Sequence, residues 1–297
     1  MLTTFVLTLG FTFAEFAGGL WSGSLSLVAD ATHMLSDAAA LGLGLVAMYI
    51  ASRPHTDIRS YGWHRAEILA ALFNGLALAG GSLLIGWRAL VRIQAAQPID
   101  SGIMLAVALV GLGINLAGAF LLGGHRHGNL NIRGAFLHVI GDALASVGVI
   151  GAALIIRWTG WTPVDSLMSL VIAALILVAS ARLVRETVSV LLESTPRHLR
   201  AADLESELAK IPGVVGIHDL HVWTVTSGFI AFSCHAEIAA TEMSDRVLTL
   251  ARRLLRERYG IEHVTIQTES PKLHDVSDSC CASEHSGSQS VAEFLRG

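Results

Sequence analysis

Six apolar stretches of roughly 20 residues each dominate the first two thirds of this chain, at about 2–21, 26–50, 66–90, 101–123, 134–156 and 164–185. A helix of about 20 residues is what the hydrocarbon core of a bilayer demands. The expected architecture is a polytopic α-helical membrane domain with six transmembrane helices over residues 1–190. No secretory cleavage site is evident, so the first run reads as a mature helix, with a signal anchor as the alternative.

The composition agrees. The chain is 53% hydrophobic and 15% charged, where soluble domains carry about 25% charged residues. Net charge is −4 and only Lys210 and Lys272 represent lysine. That argues against nucleic acid as a partner, because phosphate binding needs basic patches. Cys234, Cys280 and Cys281 are too few and too clustered for a disulfide framework. The loops after the second and fourth runs, with the end of the sixth, hold Arg53, Arg59, Arg65, Arg126, Arg133, Arg182 and Arg185. The other side holds Arg88, Arg92 and Arg157. Positive residues favour the cytoplasmic side, so both termini are expected in the cytoplasm, as in a bacterial inner-membrane protein.

Beyond about residue 194 the pattern changes. An amphipathic helix over 199–210 stops before Pro212-Gly213, and strands are expected at 214–226 and 229–238 around a Ser-Gly turn. A helix over 242–258 places Leu248, Leu250, Leu254 and Leu255 for burial, and a third strand runs from Glu262 to Glu269. This αββαβ order predicts a small α+β domain over 196–272, with helices on one face of a mixed sheet. The tail, 273–297, is rich in Ser, Asp and His and is expected to be disordered.

Within this frame one pattern carries the chemistry. His33-Met-Leu-Ser-Asp37 and His138-Val-Ile-Gly-Asp142 lie inside the second and fifth apolar runs. Residues four apart share a helix face. Ionisable groups are costly in hydrocarbon and mark ion paths or relays. Two imidazoles and two carboxylates are the ligand count of a tetrahedral zinc site. The absence of thiolate argues against Cu(I), and imidazole argues against Mg²⁺ or Ca²⁺. An imidazole must be neutral to bind metal, and its ordinary pKa of about 6.5 lies near cytoplasmic pH. Metal and protons therefore compete for the same groups, which is the physical core of an antiporter. Asp30 is placed to orient His33, and Glu15, Asn74 and Asn115 are placed to line a cavity. Gly18, Gly19, Gly42 and Gly44 are expected to let helices approach and slide.

The quartet, the stretch from Tyr61 to Asn74 and the stretch from Asn129 to His138 resemble the cation diffusion facilitator family, most closely its zinc-transporting branch. The resemblance runs from residue 1 to about 272. It implies a homodimer of six-helix protomers that exchanges cytoplasmic Zn²⁺ for H⁺ by alternating access. It also implies a ferredoxin-like, metallochaperone-like cytoplasmic domain that binds extra zinc at the dimer interface. Members with Asp in place of the first His handle a broader range of metals, so His33 implies a zinc preference. His218, His235 and Glu269 match ligand positions of the family's cytoplasmic zinc sites, and neighbouring strands can bring such residues together.

The remaining histidines divide by position. His221, three residues after His218, is expected on the opposite face of its strand. His263 reads as a bystander, while Glu262 falls where some relatives carry a ligand. His55, Asp57 and His64 fall in a loop that binds metal in some relatives, and His125 and His127 form a short histidine loop. His274, Asp278, Cys280, Cys281 and His285 crowd the tail, where they could capture metal. Two other functions compete. A membrane-embedded zinc hydrolase would need an open coordination position, and no His-Glu-x-x-His motif is present. A zinc sensor would bind without flux. Transport by a non-enzyme is the expectation.

Overall fold

The computed structural model describes residues 2–51, 53, 56–95, 97–123 and 130–270. The chain divides into two compact units, Met1–Thr187 and Val188–Gly297. Each has its own apolar core.

The first unit is helical. Its elements are α1 (Leu2–Ser22), α2 (Leu25–Ala51), α3 (Arg65–Gln94), α4 (Ser101–Gly123), α5 (Leu130–Thr159) and α6 (Pro163–Leu191). Each contains one of the six apolar runs, and α3, α5 and α6 extend past theirs. Among the described residues, Arg65–Gln94, Ser101–Phe120, Val139–Thr159 and Pro163–Leu191 have the length and composition to cross a membrane. Their large apolar side chains are often exposed, Phe120 at 85% and Leu175 at 66%. That inversion of the soluble pattern suits a lipid solvent.

Small residues set the helix spacing, as they do where lipid removes the hydrophobic drive to associate. A Cβ at Gly18 of α1 would stand 2.7 Å from Val107 of α4, and one at Gly148 of α5 would stand 2.5 Å from Met168 of α6. Gly111 of α4 receives the ring of Phe11 in the same way. A Cβ at Gly42, expected to serve such a contact, would meet nothing within 4 Å among the described residues. A core of Leu25, Leu27, Ile85, Met104, Ala108, Val149, Ala153 and Ile172 joins α2, α3, α4, α5 and α6.

The turn between α1 and α2 is tight. Gly23 adopts φ 72°, a conformation open to glycine at little cost. The carbonyl of Ser22 accepts from the amide of Asp100 at 2.9 Å, fastening the turn to the start of α4.

The second unit follows the expected order: α7 (Ala201–Leu208), β1 (Val214–Thr226), β2 (Phe229–Ile238), α8 (Ser244–Tyr259) and β3 (His263–Glu269). The strands lie in the order β1-β2-β3, with β1 antiparallel and β3 parallel to β2. Leu204 and Leu208 of α7 and Val247, Ala251 and Leu255 of α8 pack with Val222, Phe232, Cys234 and Ile238. Both helices therefore cover one sheet face and leave the other to His218, His235 and their neighbours.

β1 has 13 residues and β2 has 10. The excess is absorbed at three register shifts, one of them between His218 and His221. Asp219 sits there at φ 50°, a left-handed conformation that Asp tolerates better than most residues. A bulge inserts one residue and reverses the facing of the strand beyond it. His218 opposes His235 and His221 opposes Ser233; positions 233 and 235 share a face, so His221 shares the face of His218. The opposite-face expectation assumed an unbroken two-residue period, and the bulge breaks it.

Candidate metal centres

The first centre lies between α2 and α5. His33 stands eight residues into α2, where its Nε2 lies 3.9 Å from Oδ1 of Asp142 on α5. Asp142 is buried and His33 half-buried. The side chains of Asp37 and His138 lie outside the described residues, although both positions are helical. Serines brace both helices beside these positions. Ser36 donates to Oδ1 of Asn74 on α3 at 3.1 Å. Ser146 donates to the carbonyl of Asp142 at 3.1 Å and accepts from Asn115 of α4 at 3.5 Å. Asn74 and Asn115, read from the sequence as cavity lining, thus hold the neighbouring helices.

Glu15 and Asp30 complete the surroundings. Glu15 is 1% and Asp30 2% exposed. Their carboxyl groups interact with each other, and Asp142 lies within electrostatic reach of both. Oε2 of Glu15 is buried with no hydrogen-bond partner. Three carboxyl groups gathered in a buried space, beside one imidazole, need cations or protons to balance their charge. The donor set is oxygen and nitrogen without sulfur, which suits zinc and its borderline neighbours.

The second centre lies on the open face of the sheet. His218 and His235 are directly opposed across β1 and β2, and Glu237 beside Glu269 sets the register of β3. Nε2 of His218 lies 3.3 Å from Oε2 of Glu269, and Nδ1 of His235 lies 2.8 Å from Oε1. The two rings meet edge to face with centroids 5.1 Å apart. Among the described residues, these three form the group able to offer three ligand atoms to one ion, all within 4.8 Å of one another. Ligands about 2.0–2.1 Å from a tetrahedral zinc stand roughly 3.3 Å apart, so the spacing fits the metal.

Two residues around this centre were not singled out in the sequence. Asp219 accepts at Oδ1 from Nε2 of His221 at 2.9 Å, and its Oδ2 lies 3.7 Å from Nε2 of His235. Gln267 donates to Oε1 of Glu269 at 2.6 Å, orienting the carboxylate. Gln267 was readable from alternation with Glu269 on β3; Asp219 was not, because nothing in the sequence marks the bulge. His263 packs its ring edge on Phe229, and Glu262 is an exposed partner of Arg256 at 4.0 Å. Cys234 faces the helices, and burial pushes its thiol up to about 12. His55, His125, His127 and the tail residues His274, Asp278, Cys280, Cys281 and His285 lie outside the described residues.

A membrane-spanning helical unit with ionisable residues facing one another between two helices, joined to an α+β unit with a histidine-carboxylate cluster, defines a membrane protein that handles metal cations. Residues 1–192 match the family described as the cation efflux transmembrane domain, and residues 196–271 match the cation efflux protein cytoplasmic domain. The chain belongs to the cation efflux, or cation diffusion facilitator, family. It is 41% identical to the zinc transporter ZitB of Escherichia coli over 276 residues, covering 92% of this chain and 88% of that one. It is 40% identical to the metal cation efflux system protein CzcD of Cupriavidus metallidurans, covering 89% and 84%. It is 38% identical to a protein of Bacillus subtilis named as a cadmium, cobalt and zinc/H⁺–K⁺ antiporter, covering 91% and 88%. The protein is thus an integral membrane transporter of the zinc and cation efflux type, and the hydrolase reading falls away.

Proposed function

We propose that this protein exports Zn²⁺ from the cytoplasm in exchange for H⁺ by alternating access. The observation that carries the reading is the 3.9 Å approach of His33 to Asp142 across α2 and α5. The start of α2 is bonded to the start of α6, and α6 follows α5 after a short turn, so α2 and α5 run antiparallel. One turn onward along α2 lies Asp37; one turn back along α5 lies His138. These backbone positions advance in the same direction, so the two pairs are level with each other. In this reading His33, Asp37, His138 and Asp142 form one tetrahedral site for the cargo ion.

Neutral imidazole and ionised carboxylate bind the metal, while protonation of either releases it. Exposing the site to one side and then the other turns that competition into exchange. The B. subtilis relative is named for H⁺ as well as for three metals, which supports antiport. The arginine distribution supports cytoplasmic termini.

His218, His235 and Glu269 hold a further Zn²⁺ in the cytoplasmic domain, and the protein acts as a homodimer in the bilayer through this domain and its membrane helices. Zinc there shifts the transport equilibrium by binding one arrangement better than another.

The test is zinc flux into proteoliposomes under an imposed pH gradient. Zinc is expected to move opposite to protons and to stop when Asp142 is replaced by Asn. Flux that ignores the pH gradient in the intact protein would remove the proton exchange.

A further inference from the structure

One heavily bonded carboxylate of the helical unit is not used by the proposed transport cycle. Asp165, at the start of α6, is 0% exposed. Its Oδ1 accepts from the hydroxyls of Ser24 and Ser26, each at 2.6 Å, and from the amide of Ser26 at 3.2 Å. Its Oδ2 accepts from the amide of Leu25 at 2.8 Å. The next two amides of α2, Leu27 and Val28, turn to the hydroxyl and the carbonyl of Ser24. Every one of the four donors that a helix start leaves open is therefore met, and a side chain 140 residues away meets the first two.

A helix does not need a remote residue for this. α4 is capped by its own Asp100, which accepts from the amides of Gly102 and Ile103. An Asp at position 24 would cap α2 as well. The sequence instead places serine there and the carboxylate on α6. We infer that Asp165 is a positioning residue for transport: it ties the first turn of α2 to α6 and thereby fixes where His33 stands opposite Asp142. The tie also sits where the helix dipole favours negative charge. Opening it would strand a buried carboxylate and the helix amides together, so it persists through the cycle and acts as the fixed point from which α2 moves. His33 lies about 12 Å along the helix from Leu25, at 1.5 Å per residue. A slack anchor therefore reaches the metal as a displaced ligand.

The inference rests on the transport site proposed above, and the experiment separates the two. Zinc flux against zinc concentration is measured in proteoliposomes for the wild type, Asp165→Ala, Asp165→Ala/Ser24→Asp and Asp165→Ser/Ser24→Asp, with His33→Ala as a control. The second variant restores a cap on α2 without a tie to α6. The third exchanges carboxylate and hydroxyl between the helices and restores both.

Half-saturating zinc is expected to rise at least tenfold in the first two variants and to return to within threefold of wild type in the third. Membrane abundance and thermal unfolding are followed in the same preparations. Wild-type saturation in Asp165→Ala, or in the cap-only variant, overturns the inference, as does failure of the exchanged pair to recover. If the alanine variants do not accumulate and the exchanged pair does, the tie is again what the protein requires. Unchanged flux in His33→Ala would instead overturn the transport site, whatever Asp165 does.

Discussion

His33 of α2 and Asp142 of α5 lie more than 100 positions apart in the sequence, yet Nε2 and Oδ1 stand 3.9 Å apart. That gap is wider than a hydrogen bond and near the ligand-to-ligand distance of a tetrahedral zinc site, about 3.3 Å. A small inward movement of either helix would bring both atoms onto one ion.

If these atoms share an ion, removing either should cost nearly as much as removing both. His33→Ala and Asp142→Asn are each expected to lower zinc flux by about two orders of magnitude, and the double variant by little more, as groups acting as a unit do. Additive losses in proteoliposome flux would mean the two residues act independently.

The cytoplasmic cluster gives a prediction about stoichiometry. In a His33→Ala background, further replacement of His218 by Ala or Glu269 by Gln should remove about one zinc per protomer, counted by elemental analysis of the purified full-length protein. Zinc at 100 times its dissociation constant stabilises a fold by about 2.7 kcal/mol. Hydrogen exchange in β1–β3 should slow on zinc addition in the background protein and not in the added variants.

Much of this was legible in the sequence, for reasons that mark where legibility ends. The six helices follow from hydropathy because an apolar run of about 20 residues is the length a helix needs to cross a bilayer. His218, His235 and Glu269 were readable because they match ligand positions of the family the chain resembles, and the strand pairing brings them onto one face. His221 was misplaced and Asp219 missed for a single cause, the bulge between His218 and His221, where Asp219 itself sits at φ 50°. Hydrophobic alternation carries no signal for one inserted residue. Asp165 was missed for another reason. Its partners, Ser24 and Ser26, lie 141 and 139 positions away, and a lone acidic residue at a helix start reads as ordinary dipole compensation.

Gly213 is the turn that launches β1. It adopts φ 102°, and a Cβ there would stand 2.6 Å from Cε of Met243. The backbone strain is unavoidable, whereas the methionine end can shift. Gly213→Ala should therefore destabilise the C-terminal unit by about 1–2 kcal/mol. In a domain of this size that lowers Tm by roughly 4–8 °C per kcal/mol. A melting point unchanged in the full-length protein would show that the turn relaxes to negative φ.

Cys234 offers a chemical readout of the same core. Its thiol is buried against the helices, and burial pushes it up to about 12 from the ordinary 9.0. Only the thiolate reacts quickly with maleimide, so native Cys234 should label far more slowly than a free thiol at pH 7.5. The measurement uses Cys280→Ser/Cys281→Ser protein, in which Cys234 is the remaining cysteine. The folded state holds this proton more tightly than the unfolded chain. Its contribution to stability is therefore fully present below pH 9 and declines as pH rises from there toward 12. Labelling should become fast in denaturant at pH 7.5. Rapid labelling of the native protein at that pH would place the thiol in solvent and contradict the packing of β2 beneath α8.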